Sequence, residues 1–363
     1  RTATLTLTSG TLTQNIIIEQ EPAEFVNLEQ NIYNVSVEGG ELDIRFSTNI
    51  AEDELLIYGS LGTGTWLTQE TKTRASSSYM LNLTVLPNTD GVSRTAYIYF
   101  VKVTDMESIV VEMVTIIQRG EVASESTDYS SDKKVRVLQT AKLGKGLPIV
   151  LMGDGFIDTE INDGTYDAVM DKAFENLFTE EPIKSLRDYF NVYAVTAVSK
   201  HNIFGTGYET ALGCELAGGN STGISGEDNA VQRYVQCVDN IDMSETLAVV
   251  ILNSPAYAGT TYFGYTNQTK VVEFAIAYCP VIYDLQSESF RQVLVHEAVG
   301  HGFAKLEDEY AYQENGTISY KKIKNVQYLQ TLGWAQNVDF TSDPSQVLWS
   351  AFLNDNRYVS EKL

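Results

Sequence analysis

Hydrophobic and polar residues alternate along the first third of the chain. The segment RTATLTLTSGTLTQNIIIEQ (residues 1–20) alternates in this way, and a similar segment, RTAYIYFVKVTDMESIVVEMVTIIQ, occupies residues 94–118. A period of two is typical of a β-strand that buries one face. Each copy is therefore predicted to be a hairpin that ends a β-sandwich. We interpret residues 1–21 as the tail of a preceding, truncated sandwich.

Further short alternating runs, separated by turn residues, lie between the two copies. Gly39 and Gly40 separate two such runs in NIYNVSVEGGELDIRFSTNI, which predicts a hairpin at this point. Several short strands with turns between them favour an immunoglobulin-like β-sandwich over residues 22–120. The polar stretch EVASESTDYSSDKK follows and has no hydrophobic period, so we predict a linker over residues 121–138, with an exposed ribbon as the alternative.

The pattern changes after this stretch. Four nearly continuous apolar runs, LPIVLM, NVYAVTAV, LAVVIL and VVEFAIAY, suit strands that are buried on both faces. Helical patterns lie between them, as where Val169, Ala173 and Leu177 recur at every fourth position. The alternation predicts a multidomain protein in which an α/β domain with a largely parallel sheet occupies residues 139–363. We expect that domain to continue beyond Leu363.

Composition excludes some classes of partner. The 363 residues carry a formal net charge of −23, which disfavours nucleic acid and anionic membranes because both would be repelled. No run of about 18 apolar residues is present, so we expect no membrane-spanning helix. The three cysteines, Cys214, Cys237 and Cys279, have no C-x-x-C spacing and are odd in number. Buried free thiols are expected, with one disulfide as the alternative.

Two of the three histidines lie in VHEAVGHGFAKLEDEY, residues 295–310. Zinc hydrolases commonly carry H-E-x-x-H, but His296 and His301 are five residues apart instead of four. Five residues of a regular α-helix turn about 140° around its axis, which would separate the imidazoles. A π-type turn, in which each hydrogen bond spans five residues, brings both onto one face. The spacing therefore predicts one widened turn around residues 298–300.

Two alternatives to the widened turn stay open. The helix can end at Val299, with Gly300 starting a loop that carries His301 back, or it can be regular and leave the histidines on different faces. The helix itself is expected to start at a capping box formed by Ser289 and Gln292.

Histidine and carboxylate side chains are the ligands that catalytic zinc uses, with one position left for water. We therefore expect His296 and His301 to bind Zn²⁺, and Glu297 to act as the general base that takes a proton from the activated water. A third protein ligand is required, and the acidic cluster behind His301 offers candidates. Tyr310, beside that cluster, is the candidate donor of a hydrogen bond to a tetrahedral intermediate.

The same stretch resembles the signature of the IgA-peptidase-like metallopeptidases, family M64, which has the form H-E-x-G-H followed by L-x-D-E-Y. The letters GH, L and DEY are present here, and one additional residue separates Glu297 from Gly300. The resemblance covers roughly residues 145–340 and implies a zincin-like α/β metallopeptidase domain. It also implies Asp308 as the third zinc ligand, while Glu307 and Glu309 stay open as alternatives.

Residues 22–120 resemble the BACON domain, a small immunoglobulin-like module of Bacteroidetes surface proteins. The resemblance rests on Trp66-Leu67, Arg94-Thr95-Ala96 and Ile116-Ile117-Gln118. It implies either carbohydrate or mucin binding or a plain spacer, and we favour the spacer.

Together these features predict a secreted or surface-anchored zinc endopeptidase, located outside the cell, on its surface or in the periplasm. Its expected partner is a protein or glycoprotein substrate, with host immunoglobulin or mucin as candidates. Two alternatives come from another class of protein. One is a non-catalytic surface binding protein with a degenerate peptidase domain, and the other is an adhesin whose sandwich binds glycan.

Overall fold

The computed structural model describes residues 2–9, 12–19, 24–59, 66–75, 78–88, 93–104, 108–118, 124–205, 208–217, 222–309, 318–353 and 355. The described residues up to 118 form one unit, and those from 124 onward form a second. Each unit has a hydrophobic core of its own. The predicted division into a β-rich part and an α/β part is confirmed.

Strands make up the regular structure described in the first unit. They are β1 (Thr2–Ser9), β2 (Leu12–Glu19), β3 (Val26–Leu28), β4 (Ile32–Val35), β5 (Gly40–Thr48), β6 (Leu55–Gly59), β7 (Leu67–Ala75), β8 (Ser78–Val85), β9 (Arg94–Val103) and β10 (Ser108–Gln118). β1 and β2 pair only with each other, and the rest form two four-stranded sheets, β4-β10-β9-β6 and β3-β5-β8-β7. Both copies of the repeat are therefore hairpins, β1–β2 and β9–β10.

The two four-stranded sheets share one core. Phe46 of β5 stacks on Tyr79 of β8 at 5.1 Å between ring centroids and meets Phe100 of β9 edge-on at 4.9 Å. The second contact joins one sheet to the other, as in a β-sandwich. The hairpin predicted at Gly39 and Gly40 is wrong, because β4 pairs in parallel with β10 while β5 pairs with β3 and β8. The glycines connect the two sheets instead.

The residues that carry the resemblance to the BACON module form one polar group, which we call the arginine cluster: Arg94, Trp66 and Gln118. The Arg94 guanidinium lies 4.5 Å from the Trp66 ring centroid, and its Nε donates to Gln118 Oε1 at 2.9 Å. Gln118 is fully buried and donates to the carbonyl of Ser36 at 2.9 Å and that of Leu86 at 3.0 Å. These side chains hold the sandwich together, which gives them a structural role.

The second unit contains strands β11 (Val135–Gln139), β12 (Leu147–Asp154), β13 (Phe190–Val195), β14 (Glu215–Leu216), β15 (Ile224–Ser225), β16 (Leu247–Leu252), β17 (Thr260–Phe263), β18 (Thr266–Asn267), β19 (Lys270–Val271) and β20 (Ala275–Pro280). Its α-helices are α1 (Asp158–Asn162), α2 (Thr165–Leu177), α3 (Asp228–Val235), α4 (Glu288–Val293) and α5 (Tyr320–Thr331). A π-helix (Leu294–Phe303) continues α4, and short 3₁₀ helices cover Arg187–Tyr189, Met243–Glu245 and Ser350–Phe352.

Six strands of this unit form its main sheet, in the order β11-β13-β12-β16-β20-β17. The four inner strands are mutually parallel, and the two edge strands are antiparallel to their neighbours. All residues of β16 and β20 are buried, because cores lie on both faces of the sheet. The three residues of the predicted helical row, Val169, Ala173 and Leu177, are buried on α2. The prediction of a largely parallel α/β sheet is confirmed.

Residues 124–138 differ from the linker that their polarity predicts. Ser126 Oγ donates to the carbonyl of Ser199 at 2.7 Å, and the Asp158 carboxylate accepts from the backbone of Thr127 and Asp128 at 2.9 and 2.7 Å. β11 then pairs with β13 at the edge of the sheet. This stretch is therefore held to the second unit by hydrogen bonds of polar groups. Such contacts need no apolar side chains, so the sequence shows no hydrophobic period here.

The three cysteines are free, as expected, although Cys237 is only partly buried. Among the described residues, no helix is long and apolar enough to cross a membrane.

Candidate metal centre

The helix that carries the histidines begins two residues earlier than predicted. Ser287 has an extended backbone, and its Oγ accepts a hydrogen bond from the backbone N–H of Phe290 at 3.1 Å. This is the geometry of an N-cap, so the predicted capping box at Ser289 and Gln292 is wrong. Ser289 lies inside α4, which passes without a break into the π-helix.

The π-helix extends over ten residues, from Leu294 to Phe303, where the sequence predicts a single widened turn. At its end the N–H of Ala304 donates to the carbonyl of Val299 at 2.9 Å, a bond that spans five residues. The prediction of widened hydrogen bonding is confirmed, and it holds over a longer stretch. The two alternatives, an end at Val299 and a regular α-helix, are wrong.

The π geometry brings the two histidines together. The ring centroids of His296 and His301 are 4.6 Å apart, and their Nε2 atoms are 3.1 Å apart. The helix lies close to the sheet on its other side, because a Cβ added to Gly302 would meet Leu247 Cδ1 at 2.6 Å. Gly302 therefore allows the close approach of the π-helix to β16. Gly300 has space for a Cβ, since the nearest atom would be 3.6 Å away.

Asp308 completes a group of three possible metal ligands with His296 and His301. Its Oδ1 lies 3.1 Å from His301 Nε2 and 3.5 Å from His296 Nε2. This oxygen is shielded from solvent and accepts no hydrogen bond from the described residues.

The hydrogen bonding of His301 determines which of its nitrogens can bind a metal. His301 Nδ1 is 2.7 Å from the carbonyl oxygen of Leu306, which can only accept, so Nδ1 carries the hydrogen. In the neutral ring the Nε2 lone pair then faces the Asp308 carboxylate. Two electron-rich atoms at 3.1 Å repel each other unless a proton or a metal ion lies between them, and orientation of a ligating histidine by a backbone carbonyl is usual in metal sites. The three side chains therefore fit a metal ion.

The other candidate ligands are engaged elsewhere. The Glu307 carboxylate forms an ion pair with Lys322 Nζ. Glu309 Oε1 accepts a hydrogen bond from Asn337 Nδ2 at 2.9 Å. The structure thus brings Asp308 to the histidines and directs both flanking carboxylates to other partners. Tyr310 lies outside the described residues.

Glu297 lies beside the histidines in a buried position, with 7% of its surface exposed. Burial raises the pKa of its carboxyl group above the usual range, and a hydrogen bond from Thr261 partly offsets the effect. Thr261 Oγ1, on β17, is 2.8 Å from Glu297 Oε2. A Cβ at Gly259 would come within 2.7 Å of Glu297 Oε1, so this glycine leaves the space that the carboxylate occupies.

A cavity of about 440 Å³ opens beside Glu297 and His296. Apolar side chains line part of it, including Ala258, Ile282 and Val293. Its size and partly apolar wall suit the side chain of a bound peptide.

Three other polar residues of the second unit, Asp154, His201 and Tyr262, have structural roles. Asp154 is fully buried, and its carboxylate accepts from Ser199 Oγ, Thr210 Oγ1 and the N–H groups of Leu212 and Cys214, at 2.8 to 3.2 Å. These bonds fix the loop that follows β13.

His201 and Tyr262 are likewise bound to backbone groups. His201 Nδ1 accepts from the N–H of Glu209 at 2.9 Å, and Tyr262 Oη donates to the carbonyl of Ile224 at 2.9 Å.

Thr261 and Gly259, which contact Glu297, were not predicted as site residues because no local sequence pattern marks them.

Comparison with protein families gives two matches. The model of the family described as IgA Peptidase M64 matches residues 135–360, more than half of the chain. The chain belongs to the IgA peptidase M64 family. A second model, BACON, described as a putative N-terminal binding domain, matches residues 51–119. The M64 domain contains the histidine pair, Glu297 and Asp308, and membership implies a peptidase of metallopeptidase type.

Solved structures show only partial likeness. The chain is 16% identical to a Bacteroides ovatus GH5 xyloglucanase in complex with a XXXG heptasaccharide, with 30% of this chain and 21% of that chain covered and a TM-score of 0.21. It is 15% identical to the GspB Siglec domain, with 32% and 66% covered and a TM-score of 0.21. In both cases less than two-thirds of the other chain is covered. No curated protein matches the chain.

Proposed function

We propose that the M64 domain is a zinc endopeptidase that hydrolyses proteins outside the cell. The observation that supports it is the convergence of His296 Nε2, His301 Nε2 and Asp308 Oδ1, all within 4.8 Å of one another, beside a buried glutamate. Two imidazoles and one carboxylate form a donor set that suits zinc and leaves a position open for water. The BACON match supports an extracellular location.

Zinc held by these three side chains would act as a Lewis acid toward the scissile carbonyl and would activate water. The remaining work falls to residues of this chain. Glu297 takes the proton of the attacking water and passes it to the leaving amine.

Thr261 and the neighbouring cavity would orient the reacting groups. The Thr261 hydroxyl is 2.8 Å from Glu297 Oε2 and thereby restricts the rotation of the carboxylate. The cavity beside His296 and Glu297 would receive a substrate side chain and so place the peptide bond next to the base. The substrate class we propose is extracellular protein or glycoprotein, with immunoglobulin and mucin as the first candidates to assay.

Metal analysis combined with turnover of an unfolded protein tests the proposal. The purified chain should hold about one equivalent of zinc, and His301→Ala should lose both zinc and turnover. His201→Ala is the matched control, because it removes the histidine outside the three-ligand group and should leave both unchanged.

The possible results separate the competing hypotheses. Wild-type protein without zinc, or a His301→Ala variant that keeps it, would overturn the metal site. Iron in place of zinc would contradict the zinc assignment, since the same ligand set also suits Fe(II). Zinc without turnover would favour the alternative of a degenerate peptidase domain that only binds.

A further inference from the structure

Asp308 follows the π-helix, and residues 305–309 contain neither helix nor strand. A carboxylate on such a segment has no regular backbone to fix its direction. The hydrogen bonds that hold the neighbouring residues therefore determine where Oδ1 points. Residue 306 is fixed from the π-helix side, because the N–H of Leu306 donates to the carbonyl of Gly300 at 3.0 Å and its carbonyl accepts from His301.

The residues on either side of Asp308 are both held by Asn337. Asn337 Oδ1 accepts from the N–H of Glu307 at 2.9 Å, and Asn337 Nδ2 donates to the carbonyl of Glu307 at 2.7 Å. The same Nδ2 donates to Glu309 Oε1 at 2.9 Å. The side-chain amide of Asn337 therefore uses its acceptor oxygen and both of its N–H hydrogens in bonds to Glu307 and Glu309. Two of the bonds reproduce the pairing that an adjacent β-strand would give to Glu307.

The segment around Asn337 is itself anchored to the sheet. Trp334 is buried, and its ring meets Phe263 of β17 edge-on at 5.8 Å. The N–H of Ala335 donates to the carbonyl of Lys305 at 2.8 Å. With the two bonds to the Glu307 backbone, this makes three backbone groups of residues 305–309 that bond to residues 335 and 337. Asn337 is thus fixed relative to β17, the strand that also carries Thr261.

We propose that Asn337 is a positioning residue for Asp308, holding the carboxylate at the distance that the metal requires. The inference rests on the proposed metal site and adds a residue that does not touch the metal. Groups that orient metal ligands typically contribute 10- to 100-fold to metal affinity. Without the Asn337 amide, the backbone N–H and C=O of Glu307 lose their partner. Asp308 is then not held in place before the metal binds, and the entropy lost in ordering it weakens metal binding.

The first test measures the zinc dissociation constant of Asn337→Ala by competition with a chelating indicator. We expect an increase of about 10- to 100-fold over wild type. Asn253→Ala is the matched control, because Asn253 Nδ2 also donates to a backbone carbonyl, that of Gly155, and to a glutamate, Glu160, both at 2.9 Å. That variant should lose a comparable amount of stability and keep the wild-type dissociation constant.

The second test keeps the volume of the side chain. Asn337→Asp retains an acceptor for the N–H of Glu307 but sets a carboxylate against the Glu307 carbonyl and the Glu309 carboxylate. Zinc affinity should fall at least as far as in Asn337→Ala. Adding Glu309→Gln supplies a donor to the new carboxylate at position 337 and should recover part of the affinity. A role in packing alone predicts no such recovery.

Wild-type protein provides the reference that separates the two proposals. If wild type binds zinc and hydrolyses protein while Asn337→Ala and Asn337→Asp keep its dissociation constant, the positioning role is wrong and the proposed function stands. If wild type binds no zinc, the proposed function fails, and the positioning role fails with it. An equal loss of zinc affinity in Asn253→Ala would show a general effect of destabilisation and would also overturn the role of Asn337.

Discussion

The arginine cluster of the first unit and the metal centre of the second unit are both polar clusters, but their hydrogen-bonding groups are satisfied in different ways. In the arginine cluster, Gln118 offers an amide oxygen to the Arg94 guanidinium and its amide hydrogens to backbone carbonyls. Donors and acceptors are matched there. In the metal centre, the His301 Nε2 lone pair and Asp308 Oδ1 face each other at 3.1 Å. These two groups are satisfied only when a proton or a metal ion lies between them.

The difference separates a structural polar cluster from a functional one without reference to any relative. Buried polar groups in proteins are nearly always paired, so a shielded oxygen such as Asp308 Oδ1 that accepts nothing from the described residues points to a missing partner. The arginine cluster needs no further partner to account for its geometry.

The largest effect should come from Glu297→Gln, which separates binding from chemistry within the metal centre. The amide is nearly isosteric but cannot accept the proton, so turnover of an unfolded protein should fall by about 10²- to 10⁴-fold. Zinc content should stay near one equivalent. Glu288→Gln on the exposed face of α4 is the control and should change neither. Turnover within a factor of a few of wild type would remove Glu297 from the role of base.

Deletion of Val299 tests whether the site depends on the π-helix. The deletion restores the shorter H-E-x-G-H spacing, but Val299 is buried and Gly302 lies directly against Leu247. The deletion moves the residues after position 299 by one position along the helix, so a larger side chain takes the place of Gly302 against Leu247. We expect a loss of at least about 3 kcal/mol in unfolding free energy and weaker zinc binding.

Val299→Ala is the control for the deletion, because it removes apolar contact without changing the register. It should cost only about 1–2 kcal/mol and keep the zinc dissociation constant. A deletion variant that binds zinc as tightly as wild type would show that the M64 domain accepts either spacing.

The architecture could be predicted where buried positions give the sequence a recognisable pattern of apolar residues. Strands such as β12 and β16 appear as apolar runs because cores cover both faces of the sheet. The stretch 124–138 gave no such signal, because Ser126 and Thr127 are satisfied by other polar groups. The start of α4 was misplaced because Ser287 and Ser289 both suit a cap, and only the backbone conformation distinguishes them.

The site could be predicted only as far as it is local in the sequence. The histidines, Glu297 and Asp308 lie within one short motif, and the five-residue spacing predicted π-type hydrogen bonding on the hypothesis that both histidines bind one metal ion. Thr261 reaches Glu297 from 36 residues away, and Asn337 reaches Glu307 from 30 residues away. Threonine and asparagine are common residues, so nothing in the sequence marks these two before the fold brings them to the site.

The arginine cluster should respond to mutation in the opposite way to the metal centre. Gln118→Leu leaves the Arg94 Nε–H without its amide acceptor and the Ser36 carbonyl without its donor, whereas the Leu86 carbonyl keeps its hydrogen bond from Arg94, so we expect a cost of about 2 kcal/mol. Calorimetry should show a lower melting temperature for the sandwich, while zinc affinity and turnover stay at wild-type values. Thr84→Val, which removes a hydrogen bond to the exposed Glu41, is the control with little effect. Loss of turnover in Gln118→Leu would mean that the sandwich contributes to catalysis.

The last prediction concerns Lys305, a buried cation near the metal centre but not part of it. Its Nζ donates to the carbonyl of Gly302, lies 5.7 Å from the Trp334 ring centroid and is 3.8 Å from Glu273. Burial lowers the pKa of Lys305 to about 8, and Glu273 offsets this only in part.

The sign of the pH dependence follows from that lowered pKa. Between pH 8 and the unfolded value near 10.5, the unfolded chain holds the proton and the folded chain releases it, so the free energy of unfolding rises with pH. Relative to Lys305→Met, wild-type protein stripped of metal should gain about 2–3 kcal/mol over this range. Chemical denaturation at several pH values measures the difference, in which contributions common to both proteins cancel. A difference that stays flat, or falls as the pH rises, would show that the Lys305 ammonium is paired well enough to keep its ordinary pKa.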